Sequence, residues 1–134
     1  MWKSISGIGL GFLTSGIVIV LVEALNYAFF PELPDLTEIE DKQKIAEAMS
    51  QIPMAALFII MLAHALGSFS AGVITSLFVP SSKIRLGVVT GFLVLFMGIV
   101  NLVMVPHPTW FMAVDLAVFV PMAYLGARLG EARS

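Results

Sequence analysis

Long apolar runs alternate with short polar stretches along this chain. Four of the runs are long enough to cross a bilayer as helices. They cover residues 5–30, 53–79, 84–105 and 109–129. The second run contains no Lys, Arg, Asp or Glu, and its His64, Ser68, Ala71 and Thr75 recur at helical spacing. The pattern predicts an all-α fold, a membrane-spanning four-helix bundle in which small and polar side chains face protein rather than lipid.

A hydrophilic stretch, residues 31–52, separates the first two apolar runs. It carries six acidic residues against two lysines. Thr37 followed by Glu40 has the spacing of a capping box, which predicts a short extra surface helix over about residues 38–50. The apolar residues of that segment fall in one broad arc, so we expect this helix to rest on the bundle in the first outward loop as a structural lid.

The composition indicates an integral membrane protein. Hydrophobic residues make up 59% of the chain, charged residues only 12%, and the mean hydropathy is +0.99. A soluble domain normally has about 25% charged residues. We therefore expect one integral membrane domain over residues 1–134 with the lipid bilayer as its surroundings. The first run has no A-x-A cleavage pattern, so we interpret it as a retained membrane helix rather than a signal peptide.

Several classes of function are excluded or disfavoured by the residues present. The chain has no cysteine, which excludes disulfides, thiolate metal sites and thiol catalysis. Seven scattered Lys and Arg residues form no basic patch, so no nucleic-acid partner is predicted. No dinucleotide fingerprint, Walker lysine, nucleophile elbow or H-E-x-x-H pattern occurs, so no cofactor is predicted and an enzyme is the least favoured class.

The basic residues predict the orientation in the membrane. With four spans, the N-terminus, the second loop and the C-terminus share one side, which the positive-inside rule assigns to the cytoplasm. The basic residues at these places are Lys3, Lys83, Arg85, Arg128 and Arg133. We therefore expect a multi-pass protein of the bacterial inner membrane with both termini in the cytoplasm. The acidic loop and the turn at residues 105–108 would face outward.

Two segments, LAHALGSFSAG (62–72) and NLVMVPHPTWF (101–111), carry a resemblance. They resemble uncharacterised small bacterial membrane proteins with four predicted helices, over most of the chain. The resemblance implies the same four-helix architecture. These proteins have no assigned activity, so no functional residue is transferred from them.

Small residues recur four apart in every predicted span. The pairs are Gly7 and Gly11, Gly67 and Ala71, Gly87 and Gly91, and Gly126 and Gly130. Such spacing permits close helix approach where lipid supplies no hydrophobic driving force. In the third span, Gly87, Gly91, Gly98 and Asn101 follow one heptad-like seam. The seams serve either this bundle or the docking of a second copy or a partner membrane subunit.

Five polar residues are the candidate site. At 1.5 Å per residue, Glu23 lies about 12 Å inside Pro31, and His64 lies about 16 Å from its outer end, close to the bilayer midplane. The set is completed by Asn26, Asn101 and Asp115, which lie in the outward half. Ionisable groups at such depth face protein or a cavity, because exposure of a charge to lipid is costly. We therefore expect the five to converge.

Two interpretations of this cluster stay open. In the functional one, an outward-facing intramembrane polar pocket binds or moves a proton, a cation or a small polar solute. In the structural one, the polar groups tie helices together in an accessory subunit that docks partner helices through its glycine seams. Glu23, His64 and Asp115 also offer ligands for a metal ion, although they come from separate helices. His107 is interpreted as an exposed turn residue.

Overall fold

The computed structural model describes all 134 residues, and its regular elements are helices. The four long helices are α1 (Trp2–Phe29), α3 (Met54–Phe78), α4 (Lys83–Met104) and α5 (Thr109–Ala132), and α2 (Lys42–Ser50) follows α1 in the chain. Each of the four long helices is long and apolar enough to cross a membrane. The predicted four-helix bundle with a short extra helix is confirmed, and the chain is a multi-pass membrane protein.

Helix α3 lies at the centre of the bundle. It packs against α1, α4 and α5, and α4 also packs against α5. The contacts between α1 and α4 are sparse by comparison. This arrangement follows from the side chains of α3, since small residues such as Ala63, Gly67, Ala71 and Gly72 are buried on it and allow neighbours on several sides. Because α1 and α4 have few contacts, a gap remains between these two helices.

The closest helix contacts occur at glycines. A Cβ atom at Gly72 of α3 would overlap the carbonyl oxygen of Ala123, and one at Gly126 of α5 would overlap that of Phe69. On the other side of α3, a Cβ atom at Gly11 of α1 would lie only 2.7 Å from the carbonyl oxygen of Ala71. Glycine is therefore required where these backbones meet, because any larger residue would push the helices apart.

The outer surface of the bundle is apolar. Only 30 of the 134 residues are buried, and helix α1 buries just four, Gly7, Gly11, Ser15 and Asn26. The rest of α1 carries large exposed apolar side chains, such as Leu13 and Val20. A surface of this kind would cause a soluble protein to aggregate, whereas a bilayer covers it with lipid tails.

The loop before α3 differs from the prediction. Helix α2 begins at Lys42 rather than near residue 38, and Asp41 caps it by accepting a 2.8 Å hydrogen bond from the backbone N–H of Gln43. Thr37 instead belongs to a 3₁₀ turn capped by Asp35. The predicted capping box of Thr37 and Glu40 is therefore wrong, because an aspartate lies at each of the two actual cap positions.

Helix α2 covers one end of the bundle, here termed the α2 end; the opposite end, which holds both chain termini, is the terminal end. Ile45 and Met49 of α2 are buried in a cluster with Leu57, Leu102 and Phe111. These three residues come from α3, α4 and α5 respectively. The short helix thus closes off part of the α2 end through apolar contacts.

Candidate functional site

A buried histidine–aspartate pair joins α3 to α5. The Nδ1 atom of His64 lies 2.8 and 2.9 Å from the two carboxylate oxygens of Asp115. Asp115 is 0% exposed and His64 is 5% exposed, so both groups are shielded from lipid and solvent. A buried carboxylate needs such a partner, because the desolvation of an unpaired ion costs on the order of several kcal/mol. The geometry has the Nδ1–H donating to Asp115.

Glu23 of α1 approaches the other nitrogen of the same imidazole ring. Its Oε1 atom lies 3.6 Å from Nε2 of His64, and its side chain is 38% exposed. Because Nδ1 is engaged by Asp115, Nε2 is the nitrogen that can gain or lose a proton. His64 therefore stands between a fully buried carboxyl group and a partly open one.

A cavity of about 380 Å³ lies beside this cluster and is termed the α1–α4 cavity. It exists because α1 and α4 touch sparsely and because both contribute glycines to its wall. No atom lies within 4 Å of a Cβ atom built at Gly16, whereas one at Gly98 would lie 2.7 Å from the ring of Phe119. The lining residues are Phe12, Ser15, Gly16, Ile19, Glu23, His64, Val94, Met97, Gly98, Asn101 and Phe119.

The five predicted residues do not all reach this cavity. Glu23, His64 and Asn101 line it. Asp115 lies behind His64 and holds the ring rather than lining the wall. Asn26 is also absent from the wall, because its Nδ2 atom donates a 3.1 Å hydrogen bond to the carbonyl oxygen of Ala56 and ties α1 to the start of α3.

A second cavity, of about 260 Å³, adjoins the first at the α2 end. Glu23 and Asn101 line both cavities, so the two spaces meet at these side chains. The wall of the second cavity also includes Asn26, whose Oδ1 atom is buried without a hydrogen-bond partner. The two cavities together extend from the α2 end to the side chains of Glu23 and His64.

His107 lies in the turn between α4 and α5, as predicted, but it is half-buried in the wall of the second cavity rather than exposed. Its Nδ1–H donates to the carbonyl oxygen of Val105 at 2.6 Å, and its ring stacks on Phe111 at 5.0 Å. Burial against this neighbour lowers the pKa of His107 below its ordinary value.

Asp35 borders the same cavity from the loop. The hydroxyl of Thr37 donates to its Oδ1 atom at 2.6 Å and the backbone N–H of Thr37 at 2.9 Å. These two hydrogen bonds, that of the hydroxyl foremost, hold the pKa of Asp35 below its ordinary value. Asp35 therefore keeps a negative charge beside the second cavity.

No family model, curated protein or solved structure matches the chain. Its function therefore has to be inferred from the geometry of its own side chains.

Two site residues were missed from the sequence. Ser15 lines the cavity, is 1% exposed, and its hydroxyl has no hydrogen-bond partner. Phe119 packs its ring 5.1 Å from that of His64. Both carried a signal, since Ser15 continues the four-residue spacing of Gly7 and Gly11, and Phe119 lies one helical turn after Asp115.

The polar groups nearer the terminal end are engaged in structural hydrogen bonds. The hydroxyls of Thr75 and Thr90 lie 2.9 Å apart, and Thr90 also donates to the carbonyl oxygen of Leu86. Ser76 donates to the carbonyl oxygen of Gly72. The ionisable groups of the bundle core are therefore confined to the half nearer the α2 end.

The three metal-ligand candidates do not converge on one point. No group of three His, Asp or Glu side chains is placed to hold a metal ion. The physical reason is that Asp115 and Glu23 approach opposite nitrogens of His64, so the imidazole ring separates the two carboxyl groups. An ion beside Nε2 would have Glu23 as its only nearby carboxylate.

Proposed function

We propose that this chain is a small inner-membrane protein of bacteria whose α1–α4 cavity binds or moves a proton, a cation or a small polar solute. The observation that carries the proposal is the position of His64 between Asp115 and Glu23, with His64 and Glu23 both in the cavity wall. Because Asp115 holds the Nδ1–H, Nε2 is the exchangeable proton position of His64. The cavity that this residue lines is large enough for several water molecules, each of which occupies about 30 Å³.

The charges around the cavity favour a positive guest. Two carboxyl groups, Glu23 and Asp115, face a single imidazole. No Lys or Arg lines either the α1–α4 cavity or the second cavity. The cluster therefore has more acidic than basic groups, and in a region of low dielectric constant a carboxylate attracts a proton or another cation.

The distribution of charges supports an orientation with the α2 end outward. Lys3, Lys83, Arg85, Arg128 and Arg133 flank the ends of the spans at the terminal end. The loop at the α2 end is acidic. By the positive-inside rule this distribution favours both termini in the cytoplasm, with the second cavity towards the outside.

The first test follows the protonation of one imidazole. The chain has only two histidines, so His107→Gln leaves His64 as the single imidazole. In this background, ¹⁵N NMR of the protein in lipid follows Nε2 of His64 as a function of pH. We expect Glu23→Gln to shift the titration of Nε2, because its neighbouring carboxylate is lost. Glu47→Gln, on the exposed face of α2, is the matched control and should leave the titration unchanged.

The second test measures proton movement directly. Protein reconstituted in vesicles with a trapped pH-sensitive dye should respond to an outward pH step, and Glu23→Gln or Asp115→Asn should abolish the response. Glu47→Gln should retain it. Equal responses from wild type and both site variants would reject proton binding or movement at this cluster.

The alternative, an accessory subunit that docks partner helices through its glycine seams, has less support. Gly87 and Gly91 of α4 are occupied within the chain, since Cβ atoms there would overlap Ala127 and Ala123 of α5. Gly9 and Gly16 on α1 are the glycines with open space around them. Gly9→Leu is therefore the sharper test, and an unchanged complex after gentle extraction would count against docking at this face.

A further inference from the structure

We infer that the α1–α4 cavity takes an organic ammonium ion with an apolar body, which enters from the lipid between α1 and α4. This inference rests on the proposed function and names the class of guest. It combines three features of the cavity: the carboxyl group of Glu23 in a wall without Lys or Arg, a largely apolar and aromatic lining, and two residues shared with a lipid-facing groove on α1.

The lining of the α1–α4 cavity matches a ligand that has an apolar body and one positively charged group. Ile19, Val94 and Met97 supply aliphatic surface, and Phe12 and Phe119 supply aromatic rings. Glu23 is the partly open carboxylate on that wall, and an ammonium group close to aromatic faces gains cation–π attraction. A bare inorganic cation would exploit the carboxylate but would leave most of this apolar surface in contact with water or empty.

The cavity also contains an unsatisfied polar atom. The hydroxyl of Ser15 is buried in the wall and has no partner within the protein. Buried hydroxyls are nearly always hydrogen-bonded, so this unpaired hydroxyl would be satisfied by a polar guest once the Ser15 side chain turns towards the cavity. A protonated amine or a water molecule beside it would provide the missing hydrogen bond.

The entrance faces lipid. An apolar groove on α1 is lined by Phe12, Leu13, Gly16, Ile17, Val20 and Leu21, and it shares Phe12 and Gly16 with the cavity. Leu13 and Ile17 are more than half exposed, as expected of residues in contact with lipid. Gly16 lines both spaces, so no side chain stands between the groove and the cavity at this position. An amphipathic cation dissolved in the bilayer can therefore reach Glu23 laterally.

The test uses a charged probe and its neutral isostere. Phenyltrimethylammonium and tert-butylbenzene have nearly the same shape and differ in charge. Titration calorimetry of the purified full-length protein in maltoside micelles, which contain no ammonium groups, should detect binding of the cation at least tenfold tighter than that of the hydrocarbon. Glu23→Gln should weaken the cation at least tenfold and leave the hydrocarbon unchanged, whereas Glu47→Gln should alter neither.

A glycine pair tests the entrance. Gly16→Leu places a side chain where the groove meets the cavity, and Gly9→Leu places the same side chain on α1 away from it. Neither substitution meets an existing atom within 4 Å of its Cβ position, so both variants should fold. We expect Gly16→Leu to slow or weaken binding of the cation at least fivefold and Gly9→Leu to match wild type.

Several outcomes would overturn the assignment. Equal binding of the two isosteres, or displacement of the cation by sodium or potassium at similar concentrations, would remove the organic ammonium class. Displacement by short-chain phosphatidylethanolamine at similar concentrations would assign the ammonium site to a lipid headgroup instead of a free cation. If the cation fails to bind while Nε2 of His64 still responds to Glu23→Gln, only the guest class is wrong; if both fail, the proposed function is wrong as well.

Discussion

One nitrogen of His64 faces both oxygens of the Asp115 carboxylate, at 2.8 and 2.9 Å, in a part of the bundle where Asp115 is completely buried. The pair fixes the ring of His64 relative to α5 and leaves Nε2 towards Glu23. Asp115 is thus a positioning residue for the imidazole, while Glu23 and His64 are the groups that meet the cavity.

Removing the buried carboxylate should destabilise the bundle. Asp115→Ala leaves the Nδ1–H of His64 without a partner, and an unsatisfied buried donor costs about 1–3 kcal/mol. Asp115→Asn should cost less, because its amide oxygen can still accept from Nδ1–H. The free energy of unfolding, measured by circular dichroism in mixed micelles with increasing SDS, separates the two. Glu47→Ala, on the exposed side of α2, should lie within about 0.5 kcal/mol of wild type. An alanine variant as stable as wild type would contradict this role of the pair.

The second prediction concerns pH and His107. Burial lowers the pKa of His107 on folding, so the unfolded chain binds a proton more readily than the folded one. The resulting stability is complete above the ordinary value of 6.5 and is lost as the pH falls through the lowered folded pKa. The Tm of wild type in maltoside should therefore fall more steeply than that of His107→Gln between about pH 6.5 and 5. His64 is present in both proteins, so parallel Tm curves would exclude this contribution of His107.

The third prediction tests the backbone contact between α3 and α5. Gly72→Ala should destabilise the bundle by about 1–3 kcal/mol, because its Cβ atom would overlap the carbonyl oxygen of Ala123. Gly9→Ala introduces the same methyl group on α1, where no atom lies within 4 Å, and should stabilise the helix by up to about 1 kcal/mol. The same SDS unfolding assay compares them. Similar effects from both substitutions would indicate that helix propensity, rather than helix contact, governs Gly72.

The fourth prediction concerns orientation. The chain contains no cysteine, so each single-cysteine variant reports one position. Glu40→Cys, in the loop at the α2 end, should react with a membrane-impermeant maleimide in intact spheroplasts. Ser134→Cys should react only after permeabilisation. The reverse pattern would place the α2 end and the second cavity on the cytoplasmic side.

The boundaries of the spans could be predicted closely from the sequence. The ends of all four helices lie within three residues of the limits expected from the apolar runs. This agreement has a physical cause, since charged residues and prolines interrupt these runs where the helices end. The start of α2 was less predictable, because Thr37, Asp35 and Asp41 all have the side chains of a helix cap and only their local hydrogen bonds decide between them.

The site was only partly predictable. Helical periodicity places Glu23 and His64 on faces that meet protein, which is why their approach could be expected. Periodicity does not give the axial shift between helices, which determines which groups meet. Asn26, three residues after Glu23, consequently bonds to the backbone of Ala56 instead of joining the cavity. Periodicity also does not show that Asp115 contacts Nδ1 of the His64 ring while Glu23 approaches Nε2 of the same ring.

The length and sparse packing of α1 have a consequence for how the cavity depends on the surrounding lipid. With 28 residues, α1 is about 42 Å long, whereas the hydrocarbon layer of a bilayer is about 30 Å thick. The helix must incline to keep its apolar surface in hydrocarbon, and thinner membranes increase that inclination. Since α1 is held mainly by α3 and only lightly by α4, acyl-chain length is expected to set the width of the gap in front of Glu23. Membrane thickness would then regulate access to His64 without any change in the protein's own sequence.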